Sequence, residues 1–394
     1  MKYIGRFIAY IICVVVAASL WSCSDNEDPQ PTMPAERTVL VYMVAANSLG
    51  IDYTSGGVYY HAADTLDIEE MTQAIVENHS LGNQRWIVFH STYKSSKLIE
   101  ISKAGTRELK TYSNESAVTI SRMEEVIADT KLLAPANKYG IVLWSHADGW
   151  LENGIEEECN SLSFGYHSGK RMNLTSLRMA LEGKGFDFIY FDCCLMGGVE
   201  VAYELRHCAD YILACPSELP REGSNYVDNV KEIADGSVDA LVRAATNTYN
   251  LYNTKALAEE RTATVTVIRT SALDELAKTT KAIYEVTGME HPLSIVTNYY
   301  GSATTRQAYY LDFGEYVEAL CKQYSVDEAL LSEFNAALDQ AVVYHAATAR
   351  LWNQLPIYHN SGLSTRVFNN ADDFALKGYN RLQWAADVVT YHIH

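Results

Sequence analysis

Phe186-Asp187-Phe188-Ile189-Tyr190-Phe191-Asp192-Cys193-Cys194-Leu195-Met196-Gly197-Gly198 changes character midway. Phe186 to Asp192 is a short apolar run rich in aromatic residues, the composition of a strand buried on both faces. From Gly197 to His207 the apolar residues recur at helical spacing. The chain therefore predicts a strand, then Cys194, then a helix. A second stretch, Tyr139-Gly140-Ile141-Val142-Leu143-Trp144-Ser145-His146-Ala147-Asp148-Gly149-Trp150, delivers His146 from another buried strand onto a loop.

The same alternation runs along the chain on either side. Strands are expected at Thr38 to Ala45, Gln84 to Ser91, Lys138 to Ser145 and Tyr211 to Cys215, with a hairpin of Leu98 to Ser102 and Arg107 to Thr111. Between them lie amphipathic stretches at His61 to Asn78, Val118 to Leu132, Leu174 to Glu182 and Asn229 to Tyr252. Strands alternating with helices predict an α/β sandwich with a largely parallel central sheet and right-handed crossovers. From Arg261 the balance shifts to one strand-like run, Thr262 to Ile268, and long helical segments at Ser271 to Thr287, Leu311 to Gln323 and Ser325 to Ala347. We expect a core at 37–260 and a C-terminal helical subdomain at 261–394 packed on it.

The N-terminus has a different task. Lys2 and Arg6 precede an apolar run from Phe7 to Leu20, too short to span a bilayer, which needs roughly 20 residues. It reads as a signal peptide. Leu20-Trp21-Ser22-Cys23 resembles a lipobox, with Cys23 as the lipidated residue and 1–22 removed; an ordinary signal cut near Ala18 is the alternative. Residues 23–36 are polar, acidic and proline-rich, a flexible tether. Acidic residues behind Cys23 resemble a surface-export signal and read equally as solvated linker. The chain is thus expected to be exported, as an outer-membrane lipoprotein facing the periplasm or the cell surface, touching the membrane only through that anchor.

Net charge is −18, or about −20 without Lys2 and Arg6, which repels nucleic acid and favours cationic ligands. The eight cysteines follow no paired C-x-x-C zinc spacing, and a body of some 360 residues needs no disulfide framework. No metal ligand set is predicted, and no cofactor is required.

In an open α/β sheet, functional groups gather at the carboxyl ends of strands. A thiol near a helix N-terminus is expected to have a lowered pKa, and a neighbouring imidazolium adds to this. His146 can then protonate a departing amine, while the backbone amides of Cys194 and Ala147 hold an oxyanion. From pattern alone, a histidine at a strand end is more often structural than catalytic, and a cysteine pair behind an apolar strand is more often packing than a nucleophile.

Several motifs in order resemble the clostripain family of cysteine peptidases, which share a caspase-like fold with caspases, legumains and gingipains. They are Arg37 to Asn47, Leu143 to Trp150, Asp192-Cys193-Cys194-Leu195-Met196, Val199 to Leu205, and Ser217-Glu218 with Gly223 and Tyr226. The resemblance implies a caspase-like α/β/α sandwich and an endopeptidase with Cys194 as nucleophile, His146 as its partner, and protein or peptide substrates cut after Arg or Lys. It also implies that Asp192 lines the specificity pocket, where a desolvated carboxylate pairs with a basic side chain; capping the next helix is the alternative role. Glu218 is a second candidate for that pocket.

Departures from the family pattern stand beside the match. Ser145 replaces an aspartate, and Ala147 and Asp148 replace two glycines. If the oxyanion amide needs a backbone angle that only glycine tolerates, Ala147 impairs it. The alternative reading is a catalytically weak, peptide-binding surface lipoprotein of the same fold. Relatives are often activated by self-cleavage between histidine and cysteine; here Lys170-Arg171 is the first basic site after His146, and Lys170 to Met172 is expected to occupy the acidic pocket until cut. Glu156-Glu157-Glu158 is a possible calcium site on the strength of the resemblance, or a solvated acidic loop.

Overall fold

The computed structural model describes residues 34–150, 164–289, 294, 296–302, 307–367 and 378–389. The signal segment, Cys23, most of the tether and Glu156-Glu157-Glu158 lie outside these. Nine strands form one sheet: β1 (Ala35–Val44), β2 (Gln84–Ser91), β3 (Ser96–Ser102), β4 (Gly105–Tyr112), β5 (Ala136–Trp144), β6 (Phe186–Asp192), β7 (Ala209–Ala214), β8 (Thr264–Arg269) and β9 (Val342–Ala347). Their order is β9-β8-β7-β6-β5-β1-β2-β3-β4. The middle five, β7-β6-β5-β1-β2, are parallel, and antiparallel pairs flank them at both edges.

Side chains alternate across the sheet, as the period of two in a strand demands. Leu40, Tyr42 and Val44 of β1 enter one core, and Val39, Val41 and Met43 enter the other. On the first face lie α2 (Ile120–Leu133), α3 (Leu174–Leu181), α4 (Val199–Glu204), α7 (Leu273–Thr287), α8 (Phe313–Tyr324), α9 (Glu328–Ala341) and α10 (Gln383–Asp387). The second face is covered by α1 (Ala63–Thr72), α5 (Tyr226–Asp235) and α6 (Val238–Asn253). The result is the three-layer α/β/α sandwich expected from the alternation.

Local chemistry sets the helix starts. Asn173, Asn225, Ser237, Asp312 and Asp327 each accept a backbone N–H of the first turn behind them, satisfying donors that have no partner within the helix.

The structure corrects two expected boundaries. Asn229 to Tyr252 is two helices, because Gly236 adopts a left-handed φ of 59° that ends α5, and Ser237 caps α6. Ser325 to Ala347 contains the shorter α9, and its last six residues are strand β9, where Val342 and Val343 favour extended backbone. The section after residue 261 contributes β8 and β9 to the central sheet.

Gly140 in β5 lies opposite Phe188 of β6, and a Cβ there would sit 2.2 Å from that ring. The glycine is what lets these two strands keep their register with a phenylalanine between them. Gly140→Ala is expected to cost about 1–3 kcal/mol in denaturant unfolding, and adding Phe188→Leu should recover part of it. An unchanged midpoint in the single variant would contradict this packing.

Candidate active site

In the β5–β6 pairing the last residues, Trp144 and Asp192, stand opposite each other. His146 and Cys194 each follow two residues later, so the shared register places them side by side at the carboxyl ends of adjacent parallel strands. Both line one cavity of about 230 Å³ with Leu49, Asp192, Glu218 and Arg221.

Cys193 is buried in the core of the first face and also borders the cavity, whereas Cys194 keeps some exposed surface. Its sulfur lies 3.4 Å from the Leu219 amide, which donates to it. The turn behind it is tight. Leu195 has a φ of 64°, a region that non-glycine residues enter at a cost of roughly 1–2 kcal/mol. Two backbone bonds hold it there, Leu195 N–H to Ser217 O at 2.9 Å and Gly197 N–H to Cys215 O at 2.9 Å. Gly197 is required at this crossing, since a Cβ would come 2.5 Å from the Pro216 nitrogen. The helix starts only at Val199, with Gly198 as its cap.

That geometry removes Cys194 from the first turn, so the expected helix-dipole effect does not reach it. Burial pushes its thiol up to about 12, with Glu218, Asp148 and Asp192 adding to the rise against the Leu219 amide. His146 moves the other way, down to about 4, through burial first and then Arg171 and Arg221. Its Nε2 lies 2.8 Å from Ser48 Oγ, in a 3₁₀ turn at the end of β1. In this state Cys194 and His146 are both neutral near pH 7, and the imidazole is hydrogen-bonded to a hydroxyl.

Ser145, in place of the family's aspartate, ties strands together. Its hydroxyl donates to Val44 O at 2.8 Å and accepts from Tyr166 N–H at 3.1 Å. Ala147 has no left-handed angle; the residue that does is Gly149, at φ 73°. A side chain at 147 is therefore compatible with this backbone. His146 O accepts from Gly165 N–H at 3.0 Å, and Ala147 bridges Phe164.

Asp148 forms an ion pair with Arg171, whose guanidinium also lies 5.0 Å from the centre of the Tyr166 ring. This corrects the expectation that Lys170 to Met172 occupies the acidic pocket: Arg171 is held by Asp148. Lys170 is exposed in the short strand Lys170–Met172, paired with Phe164–His167. Arg171 also neutralises Asp148, which limits the negative charge that Asp148 puts beside the site.

Asp192 is buried, accepting from Tyr226 O–H at 2.7 Å and Ser224 N–H at 3.0 Å. Burial lifts its carboxyl to about 7. Gly223 lies against it; a Cβ there would sit 2.9 Å from Oδ1. Glu218 shares the cavity wall and accepts from Trp352 Nε1 at 3.0 Å. Asp67, not anticipated from sequence, accepts from Trp144 Nε1, and burial with the nearby Asp192 charge raises its pKa. Ser48 and Arg221 were also missed. Arg221 is the basic residue of the Ser217 to Ser224 loop, which is the signal that was available for it.

Among the described residues, one grouping has metal-ligand chemistry: Asp312, Glu315 and His359. It lies outside the cavity lining. Asp312 there caps α8 and already accepts from Tyr299, Ser361 and Glu315. These contacts account for its burial without an ion.

In the intact chain, Cys194 should alkylate with iodoacetamide at pH 8 at least about 100-fold more slowly than a free cysteine, because little thiolate is present. Peptide mapping reads this site by site. A rate equal to that of a free thiol would contradict the neutral state.

The fold and site can be set beside known proteins. The Clostripain family profile matches residues 41–363. An inactive zymogen C11 protease from Parabacteroides distasonis superposes with a TM-score of 0.75 at 26% identity, over 91% of this chain and 99% of that one. A secreted C11 cysteine protease from Bacteroides thetaiotaomicron, in complex with an irreversible peptide inhibitor, gives 0.73 at 25% identity, over 90% and 98%. Comparison with curated proteins gave no match. Among the described residues no helix is long and apolar enough to cross a membrane. With its profile match spanning most of the sequence and its sandwich shared with these proteases, the chain belongs to the Clostripain family of cysteine peptidases.

Proposed function

We propose that this peptidase is an exported, lipid-anchored endopeptidase that cuts after Arg or Lys, with Cys194 as nucleophile and His146 as general base and acid. The observation that carries the reading is the β5–β6 register, which brings Cys194, His146 and the buried Asp192 to one cavity. Asp192 is the specificity carboxylate, and Glu218 supports it from the cavity wall.

Substrate charge has a direct part in this chemistry. Asp192, Glu218 and Asp148 all oppose a thiolate at Cys194. A guanidinium or ammonium paired with Asp192 offsets that field and lowers the cost of ionising the sulfur. His146 then takes the thiol proton as sulfur attacks the carbonyl carbon, and the amides of Cys194 and Ala147 hold the oxyanion. The imidazolium returns its proton to the leaving amine, and water activated by the same imidazole releases the acyl group.

Activation by self-cleavage fits the neutral dyad. Lys170 is exposed, and a cut after Lys170 or Arg171 severs the hairpin that holds Arg171 against Asp148. Release of Arg171 removes one of the two cations that depress His146. Export rests on the N-terminal pattern, with Cys23 as the lipidated residue, and calcium binding at Glu156-Glu157-Glu158 is compatible with the acidic run.

Processed protein should hydrolyse fluorogenic Arg or Lys peptides. Cys194→Ala should abolish turnover and leave the chain between His146 and Cys194 uncut on a gel. Asp192→Asn should lower kcat/KM for basic substrates by about 100-fold or more, the loss of a desolvated charge pair. Turnover in Cys194→Ala, or equal rates for basic and neutral residues at the cut position, would overturn the reading.

A further inference from the structure

Between β1 and α1 the chain makes a small hairpin, Tyr53–Ser55 paired with Val58–Tyr60. Gly56 and Gly57 connect the strands with φ of 57° and 79°, the positive angles of a tight two-residue turn. Among the described residues its strands pair only with each other, and a two-stranded hairpin alone is marginal in water. Its side chains do not bury themselves either: Tyr53, Val58, Tyr59 and Tyr60 are 39%, 52%, 56% and 40% exposed. The register puts Tyr53, Tyr60 and Val58 on one face, with the Tyr53 and Tyr60 rings stacked at 4.8 Å.

This face is joined to the active-site cavity. Arg221, a cavity residue, lies 5.0 Å from the centre of the Tyr53 ring and donates to Ser48 O at 3.0 Å, Ile51 O at 3.3 Å and His61 O at 2.9 Å. One guanidinium thus fastens both ends of the hairpin segment to the cavity rim, beside the Ser48 hydroxyl that contacts His146. Through Arg221 the apolar face adjoins the cavity rim, and among the described residues its strand edges are unpaired.

We propose that this hairpin is a docking surface for the extended substrate chain flanking the cut residue, with the Tyr53, Tyr60 and Val58 face taking apolar or aromatic side chains. The proposal rests on the peptidase reading above. Its occupant follows from the Arg221 link: a chain leaving the cavity past Arg221 meets the exposed edges and rings of the hairpin that Arg221 holds. Tyr53 is already engaged by Arg221, which leaves Val58 and Tyr60 as the accessible anchors.

The experiment uses processed protein and three substrates: a basic dipeptide amide, a ten-residue peptide with one Arg flanked by Leu and Phe, and a peptide of that length flanked by Ser. Wild type should prefer the apolar-flanked peptide to the Ser-flanked one. Val58→Ser with Tyr60→Ser should lower kcat/KM for the apolar-flanked peptide about five- to tenfold through KM, while the dipeptide stays within about twofold and Tyr60→Phe retains wild-type values. Equal losses on the dipeptide and the long peptide, or no loss on either, would overturn the docking surface. If wild type fails to turn over the dipeptide, the cleavage reading falls instead. Anisotropy of the two labelled ten-residue peptides on Cys194→Ala then tests the hairpin alone, and equal affinities would refute it.

Discussion

Trp144 and Asp192 end their strands opposite one another in the middle of the parallel sheet, and His146 and Cys194 each lie two residues further on. Parallel neighbours keep one register along their length, so every contact that aligns β5 with β6 also aligns the two candidate side chains. Gly140 beneath the Phe188 ring is one such contact. The left-handed Leu195, tied to Ser217, shapes the turn directly behind Cys194, which lines the cavity while Cys193 is packed in the core.

The same burial that positions the pair also keeps it neutral. Desolvation raises the Cys194 thiol and lowers the His146 imidazole, and the local charges reinforce both shifts: carboxylates surround the sulfur, and arginines lie near the ring. This arrangement is the reverse of a ready thiolate–imidazolium pair. Two changes relieve it on physical grounds, release of Arg171 from the His146 side and arrival of a cation on the Cys194 side. Latency and preference for basic substrates therefore share one electrostatic origin in the proposed function.

Much of this architecture was legible in the sequence. Gln84–Ser91 and Phe186–Asp192 appear as strands with the bounds read from their aromatic and β-branched runs, since central parallel strands are apolar on both faces. The paired strand ends made His146 and Cys194 candidates, and the resemblance to the clostripain family is what chose Cys194 over Cys193. Features made by contacts distant in the chain were not legible. The Arg171–Asp148 ion pair and the Ser48–His146 contact depend on loops meeting in space. The left-handed angle of Leu195 carries no glycine or asparagine to announce it, so a thiol four residues before the helix cap was read as one at the helix start. Gly236-Ser237, by contrast, was a readable stop and start inside a longer helical pattern.

The most direct measurement is the site of attachment of an irreversible peptide inhibitor carrying a basic residue, located by mass spectrometry of the processed protein. The account predicts a single adduct on the Cys194 sulfur, greatly slowed in His146→Ala. An adduct on Cys193 or Cys215, or undiminished labelling without His146, would contradict it.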